Sequence, residues 1–193
     1  MSKRTTYLAA AIVGALFATS ALAPAFAQTK GEKTVTVGGA PMFPSKNIVQ
    51  NAVNSKDHTT LVAAVKAAGL VDTLQSPGPF TVFAPVNAAF AKLPAGTVDT
   101  LLKPENKGTL TTVLTYHVVP GRLTAANLMK AVKDGGGQAK FKTVAGGEIT
   151  VTSPSAGKLT ITDAKGGASS VTISDVLQSN GVIHVVNSVL LPS

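Results

Sequence analysis

Two hydrophobic periods divide the chain. Between about residues 47 and 133, apolar residues recur at helical spacing in short blocks bounded by caps and prolines. Asn47 reads as a cap for Ile48-Val49 and Ala52-Val53. A stronger helix runs from an N-cap at Asp57 to Gly69, with Leu61, Val62, Val65 and Ala68 as its buried stripe. Pro77-Gly78-Pro79 is a hard break, and the short aromatic and β-branched run Phe80–Ala84 behind it predicts an interior strand that Pro85 ends. Asn87 then caps a helix carrying Phe90 and Leu93, Thr97 caps another over Val98–Leu102, and Lys107–Thr115 is helical with Leu110, Val113 and Leu114 inward. That helix leads into the extended segment Tyr116–Val119 and the turn Pro120-Gly121. Thr124 caps a helix over Ala125–Lys133, which stops in Gly135-Gly136-Gly137. From Phe141 onward the period changes to two. Phe141–Val144, Ile149–Thr152, Leu159–Thr162 and Val171–Ile173 alternate apolar with Thr or Lys residues across Gly- and Ser-rich turns, a β-meander with one wet face. A last strand runs from Gly181 to Leu191. Helices first and strands later predict an α+β fold around one antiparallel core.

The N-terminus follows a different logic. Lys3 and Arg4 precede an apolar stretch from Tyr7 to about Leu22 and then Ala25-Phe26-Ala27, the three regions of a secretory signal peptide over residues 1–27. Ala and Thr dilute the stretch, and the cleavage site favours removal over retention as an anchor. No later segment has the length of a transmembrane helix, so the expected product is exported to the periplasm, the cell surface or the medium. Residues 28–44 are polar and rich in Gly and Pro and read as a flexible leader, with Thr34–Val37 as a candidate edge strand.

Composition then narrows the chemistry. The 193 residues contain no Cys, which excludes disulfides, thiolate metal sites and Cys nucleophiles, and an exported chain without staples must be held by its core. Three His, at 58, 117 and 184, leave little for a metal cage, and no calcium-loop spacing of acidic residues occurs, so neither metal nor cofactor is expected. Seventeen Lys and Arg against nine Asp and Glu give a formal charge of +8, two units of which leave with the signal segment.

Three ordered stretches resemble the fasciclin (FAS1) domain family. Phe80–Phe90, FTVFAPVNAAF, is similar to the family's FTVFAPTNxAF, with Val86 where Thr or Ser is commoner. Leu114–Gly121, LTYHVVPG, is similar to L-x-Y-H-V-V-x-G. Asn180–Pro192, NGVIHVVNSVLLP, is similar to NGVIHVIDxVLLP, with Asn187 in place of the usual Asp. The resemblance spans nearly all of residues 45–193. It implies a wedge-like β-sandwich of about seven strands with a layer of short helices, and a non-enzymatic role in adhesion or contact with a cell-surface or matrix protein or polysaccharide. It also implies a second role, since some fasciclin-like proteins resemble carriers of carotenoids. Such a ligand needs an apolar groove, for which the surroundings of Leu128, Met129 and Val132 are the candidate.

The resemblance singles out Tyr116-His117, because animal members meet integrins through this region. Adjacent residues in an extended segment point to opposite faces, so one of the pair is expected to be exposed and the other buried. A structural role, with His117 packed inside and its ring nitrogens satisfied, is favoured over direct contact with a partner. His184 lies opposite Ile183 and Val185 and is expected half-exposed; His58 is expected to be solvated. No nucleophile elbow accompanies His117, Asp163 or Asp175, so no hydrolase is expected. Asp134–Gly137 lacks the Lys and Ser or Thr of a phosphate loop and reads as a helix stop. Lys130, Lys133, Lys140 and Lys142 cluster where one helix ends and the next strand begins. They form either a solvated surface or a patch for acidic polysaccharide or anionic lipid. An exported chain without an aromatic stacking platform is not expected to bind nucleic acid. One domain per chain fits a monomer or weak homo-oligomer.

Overall fold

The computed structural model describes residues 32–192; the signal-peptide reading lies outside the described residues. The chain starts with a hairpin, β1 (Val35–Val37) and β2 (Ala40–Met42), followed by three helices, α1 (Ile48–Ala52), α2 (Thr59–Ala68) and α3 (Val71–Gln75). Strand β3 (Phe80–Pro85) leads to α4 (Asn87–Ala91), α5 (Thr97–Leu102) and α6 (Lys107–Tyr116), then to β4 (Val118–Pro120) and α7 (Ala125–Asp134). Five strands complete the domain: β5 (Gln138–Lys142), β6 (Glu148–Ser155), β7 (Lys158–Thr162), β8 (Ala168–Gln178) and β9 (Gly181–Val186).

Seven strands form one sheet in the order β4-β3-β9-β8-β7-β6-β5, antiparallel throughout except for the parallel pair β3–β9. The sheet curls until its ends approach: the Val144 amide donates to the Val118 carbonyl at 2.8 Å. The α+β class and the strand number expected from the resemblance are both found.

Alternation along the two central strands creates two cores. On β3, Val82 and Ala84 face a layer built with α1, α2, α3 and α6, whereas Phe83 faces the inside of the curl. On β9, Ile183 and Val185 join the first core and Val186 the second. The second core is closed by Leu128 and Val132 from α7, packed on Ile149, Val151 and Ile161. Both strands are therefore covered on both faces, which is why β3 reads as an apolar run broken only by Thr81.

Several local expectations need correction. Residues 35–42 are not a loose leader: the Gly38-Gly39 turn closes a hairpin that buries Val37 and Met42 in the first core. Asp57 does not cap α2. It sits in a 3₁₀ turn, Lys56–His58, and the helix begins at Thr59. The cap comes from elsewhere in the chain: the Thr60 amide donates to Asn87 Oδ1 at 3.0 Å, and Asn87 Nδ2 donates to the Lys56 carbonyl at 2.8 Å. Asn87 therefore fastens α4 to the start of α2 instead of capping its own helix, whose N-cap is Val86. At α5 the cap position belongs to Gly96, in the left-handed region, and Thr97 is the first helical residue. Asn47, Gly69 and Thr124 do end their helices as their sequence signals indicate. Asn47 forms a reciprocal capping box with Gln50, Gly69 adopts φ 72°, and Thr124 Oγ1 accepts from the Asn127 amide.

Candidate functional site

The Tyr116-His117 pair sits where α6 runs into the sheet. Tyr116 is the last helical residue and His117 is its C-cap, with φ −84° and ψ −1°. The expected extended backbone is absent, and so is the expected division into one exposed and one buried side chain. Tyr116 is 0% exposed and His117 3%. They are buried on different sides of the sheet. The Tyr116 ring belongs to the second core, while His117 lines the first.

Each of their polar atoms is engaged. The Tyr116 hydroxyl donates to the Glu148 carbonyl at 2.6 Å and accepts from the Ala164 amide at 3.0 Å, and burial pushes its phenol above the usual range. It thus ties α6 to the start of β6 and to the β7–β8 turn. The Leu190 amide donates to His117 Nε2 at 2.9 Å, which fixes the tautomer; Nδ1 carries the proton and donates to the Val113 carbonyl at 2.8 Å. Burial lowers the imidazole pKa to about 4, against weaker opposing effects of the Val113 carbonyl and the Asp163 carboxylate. A ring with both nitrogens held by the backbone cannot relay a proton to a hydroxyl nucleophile, so this pair is a structural joint without catalytic geometry.

The other two histidines are also interior. His184 lies on the face of β9 opposite Ile183 and Val185, as alternation requires, but that face is not wet. The side chain is 0% exposed, stacks on Phe83 at 5.7 Å between ring centres, and donates from Nε2 to the Leu123 carbonyl at 2.8 Å. The Asp175 amide approaches Nδ1 at 3.4 Å. His58 is buried as well, sharing a 2.9 Å hydrogen bond between Nδ1 and Ser55 Oγ, while Nε2 has no partner of hydrogen-bond geometry. Burial lowers both pKa values; the Leu123 and Ala84 carbonyls oppose it at His184 and His58 respectively, with smaller contributions from Asp175 and Asp57.

One junction escaped the sequence reading. Asp163 Oδ1 accepts from the Lys165 and Gly167 amides, at 3.0 and 2.7 Å, and its Oδ2 accepts from Leu191 at 2.9 Å. The run Asp-Ala-Lys-Gly-Gly carries the signature of an Asx-type turn, but the reach to Leu191 is tertiary.

The lysines are where exposure lies. Lys130, Lys133, Lys140 and Lys142 are all exposed, the first two on α7 and the other two on the neighbouring strand β5, where they alternate with Ala139 and Phe141, which pack against the second core. Lys130 pairs with Asp134 at 2.6 Å and Lys140 approaches Glu148 at 3.9 Å; Lys133 and Lys142 have no acidic partner among the described residues. The surroundings of Leu128, Met129 and Val132, the candidate for an apolar groove, are packed. Leu128 and Val132 are filled into the second core, and Met129 packs at its edge. An apolar cavity of about 80 Å³ lies instead in the first core, between α1, α2, α6 and strands β3 and β9, walled by Ile48, Leu61, Val65, Val82, Leu114 and Ile183. Among the described residues no cluster of three or more His, Asp or Glu could hold a metal ion, and no helix is long and apolar enough to cross a membrane.

Residues 56–192 match the family model described as Fasciclin domain. The chain belongs to the fasciclin family. This fasciclin domain is 46% identical over 162 residues to Protein sll1483 of Synechocystis, covering 83% of this chain and 82% of that one. It is 30% identical over 171 residues to the cell surface glycolipoprotein MPB83 of Mycobacterium bovis, covering 86% and 70%. Among solved structures it resembles a FAS1 domain pair from the insect cell adhesion molecule Fasciclin I, with a TM-score of 0.68 at 20% identity over 77% of this chain and 52% of that one. That likeness concerns the fold, and the chain spans about half of the solved pair.

Proposed function

We propose that this fasciclin domain is an exported, non-enzymatic contact module that meets an acidic polysaccharide of a cell surface or matrix through the outer side of α7 and β5. One observation carries the choice of face. Tyr116 and His117 are sealed in the interior, so contact has to come from exposed residues, and exposed lysines on the neighbouring elements α7 and β5 support this choice. Relatives named as a cell surface glycolipoprotein and a cell adhesion molecule support surface contact as the general role. The signal-like residues 1–27 support export. Exposed charges act over about 10 Å at 0.1 M salt, so such attachment is weakened by ionic strength. The purified chain should bind alginate-coupled beads at 50 mM NaCl and release from them at 300 mM. The double variant Lys133→Glu, Lys142→Glu, which leaves both existing ion pairs intact, should lose at least tenfold in retention. Attachment unaffected by salt and by the double variant overturns this reading.

The apolar cavity favours a second reading, carriage of an apolar ligand such as a carotenoid. Dry apolar cavities do accept small apolar guests. A volume of about 80 Å³ admits only part of a long polyene, so the helices α1 and α2 would have to part from the sheet. A visible absorption band on protein purified from its native host, or after incubation with carotenoid, is the expected result; protein that stays colourless in both removes this reading.

A further inference from the structure

After β9 the chain continues as a strap, Asn187–Pro192, whose first residue still donates from its amide to the Ser170 carbonyl of β8 at 3.2 Å. Side chains hold it down. His117 Nε2 receives the Leu190 amide, Asp163 Oδ2 receives the Leu191 amide, and Ser169 Oγ accepts from the Ser188 amide at 3.0 Å while donating to its carbonyl at 2.8 Å. Lys92 Nζ donates to the Asn187 carbonyl at 2.7 Å. Leu190, 0% exposed, is the anchor that these bonds place in the second core.

Of these tethers, the one at His117 depends on the ring's single acceptor lone pair, which a proton removes altogether, whereas a carboxyl such as Asp163 keeps acceptor capacity when protonated. Nδ1 already carries hydrogen toward the Val113 carbonyl, so a second proton can enter only at Nε2. There it would set an N–H group directly against the Leu190 N–H. The bond would be lost and replaced by two opposed donors, in an interior site where neither can turn to water. Asp163 is the charged group that acts on the ring from the β7–β8 turn; α6, β3 and β4 bring no other charge to it. We propose that the strap Asn187–Pro192 is an acid-released latch, which lets go of the domain when His117 takes a proton and so uncovers the part of the second core that Leu190 fills.

Linkage gives the size of the effect. Burial holds His117 at about 4 in the closed state; in the limit where opening the strap gives the ring back to water at the ordinary 6.5, opening becomes about a hundredfold more frequent between pH 7 and pH 4. Hydrogen exchange on the whole chain, corrected for the intrinsic pH dependence of exchange, reads this directly. Exchange at Leu190 and Leu191 should rise by about that factor at pH 4 while Ile149, Val151 and Ile161 stay protected. Glutamine can both donate and accept but does not titrate, so His117→Gln should keep the strap closed at both pH values. Equal protection of Leu190 at pH 7 and pH 4 overturns the proposal, as does simultaneous loss of protection across the second core. If the variant does not fold, the wild-type imidazole signals decide: the Leu190 amide resonance must move through the same titration as His117, and independent titrations overturn the latch.

Discussion

Changing His117 to alanine should lower the melting temperature by roughly 10 °C and leave attachment of the folded protein to an anionic surface unchanged. The imidazole is 3% exposed and holds two backbone groups, the Val113 carbonyl and the Leu190 amide. Leaving a buried polar group unpaired costs about 1–3 kcal/mol, and alanine leaves both unpaired as well as a space where the ring was. A total near 4 kcal/mol corresponds to about 2–4 °C per kcal/mol in a domain of this size. The lysines of α7 and β5 are separate from this joint, so binding should survive in whatever fraction remains folded. Calorimetry beside a bead-binding assay separates the two. A variant that melts like the parent but no longer attaches would reverse the assignment and make His117 a contact residue.

Acid should destabilise the domain before its carboxylates are largely protonated. The three histidines are buried and their pKa values are all lowered, chiefly by burial. Below pH 6.5 the unfolded chain therefore binds protons that the folded chain refuses. The stability these groups contribute is fully present above about pH 6.5 and is lost as the pH falls toward the folded values. For His117, displaced to about 4, the whole effect is about 3 kcal/mol, and about 2 kcal/mol of it is gone between pH 7 and pH 4.5. His58 and His184 add to it in the same direction. Urea titrations at the two pH values should show the midpoint falling, with a smaller fall in His117→Gln. A midpoint that holds steady or climbs on acidification would contradict the burial of these rings as the governing influence.

The same residues show which features could be read along the chain. Helix ends set by a local cap were legible, because Asn47, Gly69 and Thr124 act within a turn of their own position. Asn87 was misread for the converse reason. It is a good capping residue, but its carbonyl oxygen and amide nitrogen serve α2, which lies 27 residues earlier. The hairpin at residues 35–42 had a signal, two glycines between apolar β-branched and aliphatic positions, which the surrounding polar and Gly-rich composition masked.

Alternation assigned His184 correctly to the face opposite Ile183 and Val185, but a strand pattern does not say what covers a face. Here that face meets Phe83 and the second core. The expectation that Tyr116 and His117 diverge between solvent and interior failed in a similar way. The end of α6 is wedged between two cores, so divergence sends one ring into each.

What the sequence determined by itself was the class of the fold, its membership suggested by three ordered motifs, the caps that close on themselves and the lysines gathered at one helix end. These depend on residues near one another along the chain. The interior place of His117 was already favoured by the sequence; tertiary structure alone decided that His58 and His184 are interior too and that Asp163 and His117 clamp the strap after β9. It also placed the apolar cavity beside α1 and α2 and not beside α7. The physical reason is that burial and hydrogen-bond satisfaction are properties of the surfaces that meet. In this molecule those surfaces come from segments more than a hundred residues apart.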